Sequence, residues 1–189
     1  MELIMCVRLH QLAVFFILAL VPLSLAQVKN SCRTSSLPSA AQALLDRKYG
    51  DWRPKAISDL GADDREFWVE AHPRDCPGIA LGHFEEPDRL AYAVLLVPKS
   101  ELNHGYKMIV LSKLPTGDTY AARLLDQADG EYSNSGLAIS TAPRGSYSDF
   151  EDTTSVRLRL DAVNAEWIGK GAVLYYWMHG KYQTLQTSD

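Results

Sequence analysis

The chain has 189 residues, 47% apolar and 22% charged, with a formal net charge of -4 at pH 7. That length suits one ordinary domain, and the apolar fraction excludes disordered, collagen-like and coiled-coil chains. A mildly acidic balance offers no basic face to a phosphate backbone, so no nucleic-acid partner is expected.

Residues 1–26 differ in kind from the rest. Arg8 and His10 precede an unbroken apolar run from Leu12 to Val21, and Ser24 and Ala26 occupy the two small positions of a cleavage site. This pattern predicts a signal peptide over 1–26. The run is too short for the roughly 20 residues that cross a bilayer. A longer window from Leu3 to Leu25, read as an uncleaved anchor, is interrupted by Arg8 and His10. The expectation is an exported protein, periplasmic or extracellular, with no membrane span once the signal is removed. Residues 27–189 then form one domain, with 27–36 as an N-terminal arm. Cys32 and Cys76 remain in it, 44 positions apart. In an oxidising compartment the pair reads as one disulfide, worth about 2–4 kcal/mol; two free buried thiols are the other reading.

Leu37 to Gly50 has helical spacing, with Ser36 as a candidate cap, Pro38 in the first turn and Gly50 at the end. Ala62 to Ala71 reads as a second helix, with Asp63 and Asp64 at its positive end. From Cys76 onward the period becomes that of strands. Ile79–Phe84, Leu90–Val97, Tyr106–Leu114 and Thr119–Leu125 are separated by turn residues. A short strand is expected near Leu137–Ser140 within a polar stretch from Gly130 to Asp152. Ser155 to Leu160 alternates apolar and charged residues. Ala172–Met178 and Lys181–Thr187 form a hairpin across His179-Gly180, pairing Trp177 with Tyr182, Tyr176 with Gln183 and Leu174 with Leu185. The short connections leave no room for crossover helices, so neighbouring strands should pair antiparallel in a meander. The predicted fold class is α+β: one mainly antiparallel sheet of six to seven strands with two N-terminal helices packed on it. Leu90 to Val97, apolar at nearly every position, should be central and covered on both faces.

Gly78 to Leu96, with Gly82-His83-Phe84-Glu85-Glu86-Pro87-Asp88 before an apolar strand, resembles an FG-GAP-type segment. The terminal stretch from Tyr175 to Tyr182 and on to Asp189 is similar to the ends of uncharacterised exported bacterial proteins carrying one such segment. The resemblance implies a turn feeding a buried strand. It also implies a calcium loop, whose ligand positions would fall on His83, Glu85, Pro87 and Ala91. Only Glu85 has suitable chemistry for a cation needing six to eight oxygens, so no metal and no cofactor is expected.

Two acidic groups are candidates for chemistry. His83, Glu85, Glu86, Asp88 and His104 could gather a metal or an acid–base pair; a solvated strand end is the alternative. Asp149, Glu151 and Asp152 lie in one loop, a poor setting for carboxyls facing each other across a groove. Gly145-Ser146-Tyr147-Ser148 lacks the second glycine of a nucleophile elbow. No catalytic residue is therefore assigned. The aromatic hairpin, with Trp177, Tyr175 and Tyr182, is the candidate binding surface, covered by a helix or offered to a protein or glycan partner. The expected function is a non-catalytic envelope or extracellular binding or accessory protein. The alternative is a hydrolase using Glu85, Glu86 and Asp88.

Overall fold

The computed structural model describes residues 36–100, 104–131 and 133–189; the expected leader, most of the arm and Cys32 lie outside the described residues. Helix α1 is Ser39–Lys48, with Pro38 at its N-cap and Arg47 and Lys48 in its last turn. It is shorter than the expected 37–50, and it starts without a side-chain cap. Helix α2, Ala62–Ala71, keeps the expected bounds, with Asp63 and Asp64 where the helix dipole favours anions. Strand β1, Trp52–Pro54, intervenes between the helices. Its length and its proline hid it from periodicity. Arg53 is held there by a two-pronged ion pair to Asp59, at 2.6 and 2.8 Å.

Strands β2 (Ile79–Glu86), β3 (Arg89–Pro98), β4 (His104–Lys113) and β5 (Tyr120–Glu131) follow. With β1 they make a first sheet in the order β1-β3-β4-β5, and β2 pairs with β3 beside β1. A two-residue Pro87-Asp88 turn joins β2 to β3. Strands β6 (Leu137–Ala142), β9 (Ala162–Trp167), β10 (Gly171–Met178) and β11 (Lys181–Ser188) form a second sheet, ordered β11-β10-β9-β6. Between β6 and β9 the chain leaves that sheet to make a separate ribbon of β7 (Ser146–Ser148) and β8 (Ser155–Arg157).

The α+β content with antiparallel sheets is thus present, but the single sheet of six to seven strands is corrected to eleven strands in three sheets among the described residues. Every paired strand is antiparallel, yet the meander is broken where β6 pairs with β9. Alternation reports which face of a strand is apolar. It does not report whether the next strand continues the same sheet or faces it.

The two large sheets pack face to face. Phe84, Ala93, Leu95, Met108 and Val110 of the first meet Leu137, Ile139, Val163, Ala165 and Tyr175 of the second. Helix α1 covers the outer side of the first sheet, where Ala41, Leu44 and Leu45 meet Val94, Leu96, Ile109 and Leu111. Strand β3 is therefore central and dry on both faces from Ala93 to Val97, while Leu90, at the start of the expected run, is 47% exposed beside the β2–β3 turn. Helix α2 goes elsewhere: Trp68 packs with Leu60 against Ala138 and Ile168 at the edge of the second sheet. The two helices do not share a face. The outer side of the second sheet is covered by the β7–β8 ribbon and Leu158, against Ala162, Leu174, Tyr176 and Leu185.

One buried cation stands out. Lys55 is wholly enclosed, and its ammonium donates to the Asn134 carbonyl. Its backbone lies so close to Gly78 that a Cβ there would sit 2.2 Å from the Lys55 carbonyl oxygen. No described helix is long and apolar enough to cross a membrane.

Candidate functional site

The terminal hairpin forms in the expected register, Trp177 opposite Tyr182, Tyr176 opposite Gln183 and Leu174 opposite Leu185. His179 and Gly180 make its turn with φ of 52° and 76°, the left-handed pair a tight hairpin requires. Both faces of β10 are covered. Tyr175 points into the core between the sheets, and Leu174 and Tyr176 point toward the ribbon.

The three aromatics picked out from sequence are placed differently from one another. The Tyr175 hydroxyl donates to Asp126 at 2.9 Å, and the Tyr106 hydroxyl donates to the same oxygen at 2.8 Å. Asp126 on β5 therefore ties the second sheet to the first. Burial, then the hydrogen bond to Asp126, pushes both phenols well above the ordinary tyrosine value. The Tyr182 hydroxyl is buried beside Glu85 without a well-aligned hydrogen bond, and burial first and that carboxylate second raise its pKa as well. Trp177 is half-buried. Tyr182 meets its ring edge-on at 5.0 Å between centroids, and the Arg123 guanidinium lies over it at 4.9 Å.

Glu85 sits at the centre of this knot. It accepts from Arg123 Nε at 2.9 Å and from Ser112 Oγ at 2.8 Å. Glu86 pairs with Arg89 across the β2–β3 turn, and Asp88 is exposed in that turn. His83 turns instead to Asp161: its backbone N–H donates to Oδ2 at 2.8 Å, and its Nδ1 lies 3.5 Å from the same oxygen. No group of three or more His, Cys, Asp or Glu among the described residues is arranged to hold a metal ion. The acidic loop residue Asp149 accepts from Thr153, closing the far end of the ribbon.

Cys76 is buried, and the Gly78 N–H lies 3.4 Å from its sulfur. Its expected partner, Cys32, is outside the described residues.

A wide concavity lies where the ribbon meets the tip of the terminal hairpin. It encloses about 980 Å3 and is lined by Arg144–Gly145, Arg157–Leu160 and Tyr176–His179. A smaller cleft of about 310 Å3 continues from it past Arg144, Arg159 and Leu160 to His83, Pro87 and Asp161. The segment between β8 and β9 is held in place by backbone: the Leu158 N–H donates to Gly145 O at 2.7 Å and the Asp161 N–H to His83 O at 3.2 Å. Asp161 also accepts from the Arg144 N–H at 3.3 Å. Leu158 is buried while Arg157 and Arg159 on either side of it are exposed. The alternation of Ser155 to Leu160 is visible in the sequence, but the chain distance from residue 144 to residue 179 conceals the groove.

No family model, curated protein or solved structure matches this chain.

Proposed function

We propose that this is an exported, non-catalytic binding or accessory protein that takes its partner in the groove between the β7–β8 ribbon and the tip of the β10–β11 hairpin. The observation that carries the reading is the 980 Å3 concavity itself, open at the surface and floored by apolar side chains. Tyr176 and Met178 line it from the face of β10 turned toward the ribbon, while the Trp177 ring, on the Tyr175 side of the strand, braces the hairpin against Tyr182 and Arg123. Two of the three carboxylates of a hydrolytic alternative are engaged in other work, Glu85 with Arg123 and Ser112 and Glu86 with Arg89, and, among the described residues, Asp88 stands alone in the exposed β2–β3 turn. Export to the periplasm or cell exterior rests on residues 1–26, and the Cys32–Cys76 bridge, which would tie the arm to the body, rests on the cysteine pair.

A photo-crosslinking residue at Met178, compared with the same residue at Arg47 on the opposite side of the molecule, tests the reading in intact cells. A discrete adduct from position 178 and none from position 47 supports it. Identical adducts at both positions, or none at 178, overturn it.

A further inference from the structure

We propose that the groove binds an acidic peptide segment of a protein partner, one whose carboxylate side chains alternate with apolar ones. This rests on the reading of the groove as the partner site and adds the chemistry of the occupant.

The charge of the groove favours an acidic occupant. The chain carries a net charge of -4, yet three arginines, Arg144, Arg157 and Arg159, converge on the groove and its side cleft. All three are exposed. None forms an ion pair among the described residues; Arg47, Arg65 and Arg74 lack one too but are scattered, whereas these three line one concavity and its side cleft. The lone carboxylate lining the two cavities, Asp161, is turned to His83 and to backbone N–H groups. The acidic residues of the ribbon lie in its loop, beyond Ser148 and Ser155, while Arg157 stands at the other end opposite Ser146. Guanidinium groups left without internal partners in a concave site are matched by carboxylates, which they grip with two parallel hydrogen bonds.

The lining of the groove favours a peptide over an acidic glycan. Sugars dock their C–H faces on open aromatic rings. Here the Trp177 ring is already engaged by Arg123 and Tyr182. Tyr176, the aromatic of β10 that faces the groove, is buried, so no open ring is offered there; the rest of the floor includes Leu158, Leu160 and Met178. Aliphatic walls of that kind suit the Leu- or Val-type side chains of a peptide. Leu158 buried between exposed Arg157 and Arg159 is the complement of a strand bearing acidic residues at alternate positions.

Calorimetric titration of the mature chain with synthetic peptides of alternating Glu and Leu tests the assignment. The comparisons are a Gln-Leu peptide, a Lys-Leu peptide and polygalacturonate as an acidic glycan. The Glu-Leu peptide is expected to bind at least tenfold more tightly than the Gln-Leu peptide and to weaken as salt rises. Arg157→Gln and Arg159→Gln are each expected to weaken it at least fivefold, Arg157→Lys and Arg159→Lys less so, and Arg47→Gln less than twofold. Unchanged near-ultraviolet circular dichroism of each variant shows that the fold is intact. Equal binding of the Glu-Leu and Gln-Leu peptides, indifference to the arginine changes, or arginine-dependent binding of polygalacturonate in place of the peptide each overturns the proposal. An adduct at Met178 that persists at full yield in the Arg157→Gln, Arg159→Gln double variant overturns it while leaving the groove as the partner site. Loss of the Met178 adduct in the unaltered protein defeats the underlying reading instead.

Discussion

Replacing Lys55 with methionine keeps the length of a wholly buried side chain and removes its charge. Burial lowers the Lys55 pKa from 10.5 to about 8, with Asp59 and Asp64 opposing that fall. At 1.36 kcal/mol for each tenfold change, the folded state carries a penalty of about 3 kcal/mol for holding this ammonium. Below pH 8 both folded and unfolded chains are protonated and the full penalty stands. Between pH 8 and 10.5 the unfolded chain binds more protons than the folded one, so stability rises with pH, by about 1.2 kcal/mol per unit near pH 9. Methionine removes the penalty but leaves the Asn134 carbonyl without its lysine donor, at a cost of about 1–3 kcal/mol. Lys55→Met should therefore match or exceed the parent by up to about 2 kcal/mol at pH 7, and lose that advantage by pH 9.5. Urea unfolding followed by tryptophan fluorescence at each pH measures both curves. A difference between the two proteins that stays constant from pH 7 to 9.5 would refute the reasoning, because Lys55 would then titrate as an exposed lysine does.

Trp68→Ala should cost about 3–5 kcal/mol, since the side chain is 2% exposed and is the one fully buried anchor of α2; urea unfolding measures it, and a loss below about 1 kcal/mol would mean α2 is not packed there. Asp126→Ala strips two buried phenols of a shared acceptor and should destabilise by about 2–4 kcal/mol, more than Tyr106→Phe and Tyr175→Phe combined; the three denaturation curves decide. Absorbance titration should find Tyr106, Tyr175 and Tyr182 silent through pH 10–11 in the folded protein and ionising when it unfolds. Phenolate signal from all tyrosines near pH 10 without unfolding would contradict those placements. Gly78→Ala drives a methyl into the Lys55 backbone and should cost at least about 3 kcal/mol, read from the thermal midpoint.

Local features of this molecule were legible because they depend on near neighbours. The hairpin at His179-Gly180, the bounds of α2 and the doubly covered β3 all follow from spacing within about ten residues. Layering was not legible. Nothing between β5 and β6 says that Leu137 begins a second sheet, since a strand in a facing sheet carries the same alternation as one added alongside. Strands β1 and β7 are too short to show a period, and β1 ends in a proline. The same limit hid the groove. Arg157 and Arg159 are visible as charged positions of an alternating run, but their significance comes from Arg144 and the β10 tip, brought beside them by the fold. Lys55 had no signature at all; its burial is created by Gly78 and Asn134, far along the chain.

The two layers of the sandwich are also two consecutive stretches of polypeptide: β1 to β5 finish by Glu131, and β6 begins at Leu137. Vectorial synthesis therefore releases a complete five-stranded half while Ala93, Leu95, Met108 and Val110 still await their cover. Until roughly the last fifty residues arrive, that half presents a naked oily plate to its surroundings, the kind of transient surface that invites aggregation or a holdase. Strand β10 lies in the middle of the late layer and supplies Tyr175 to the seam. A nascent chain stalled before residue 171 should accordingly stay protease-sensitive throughout, its early half included.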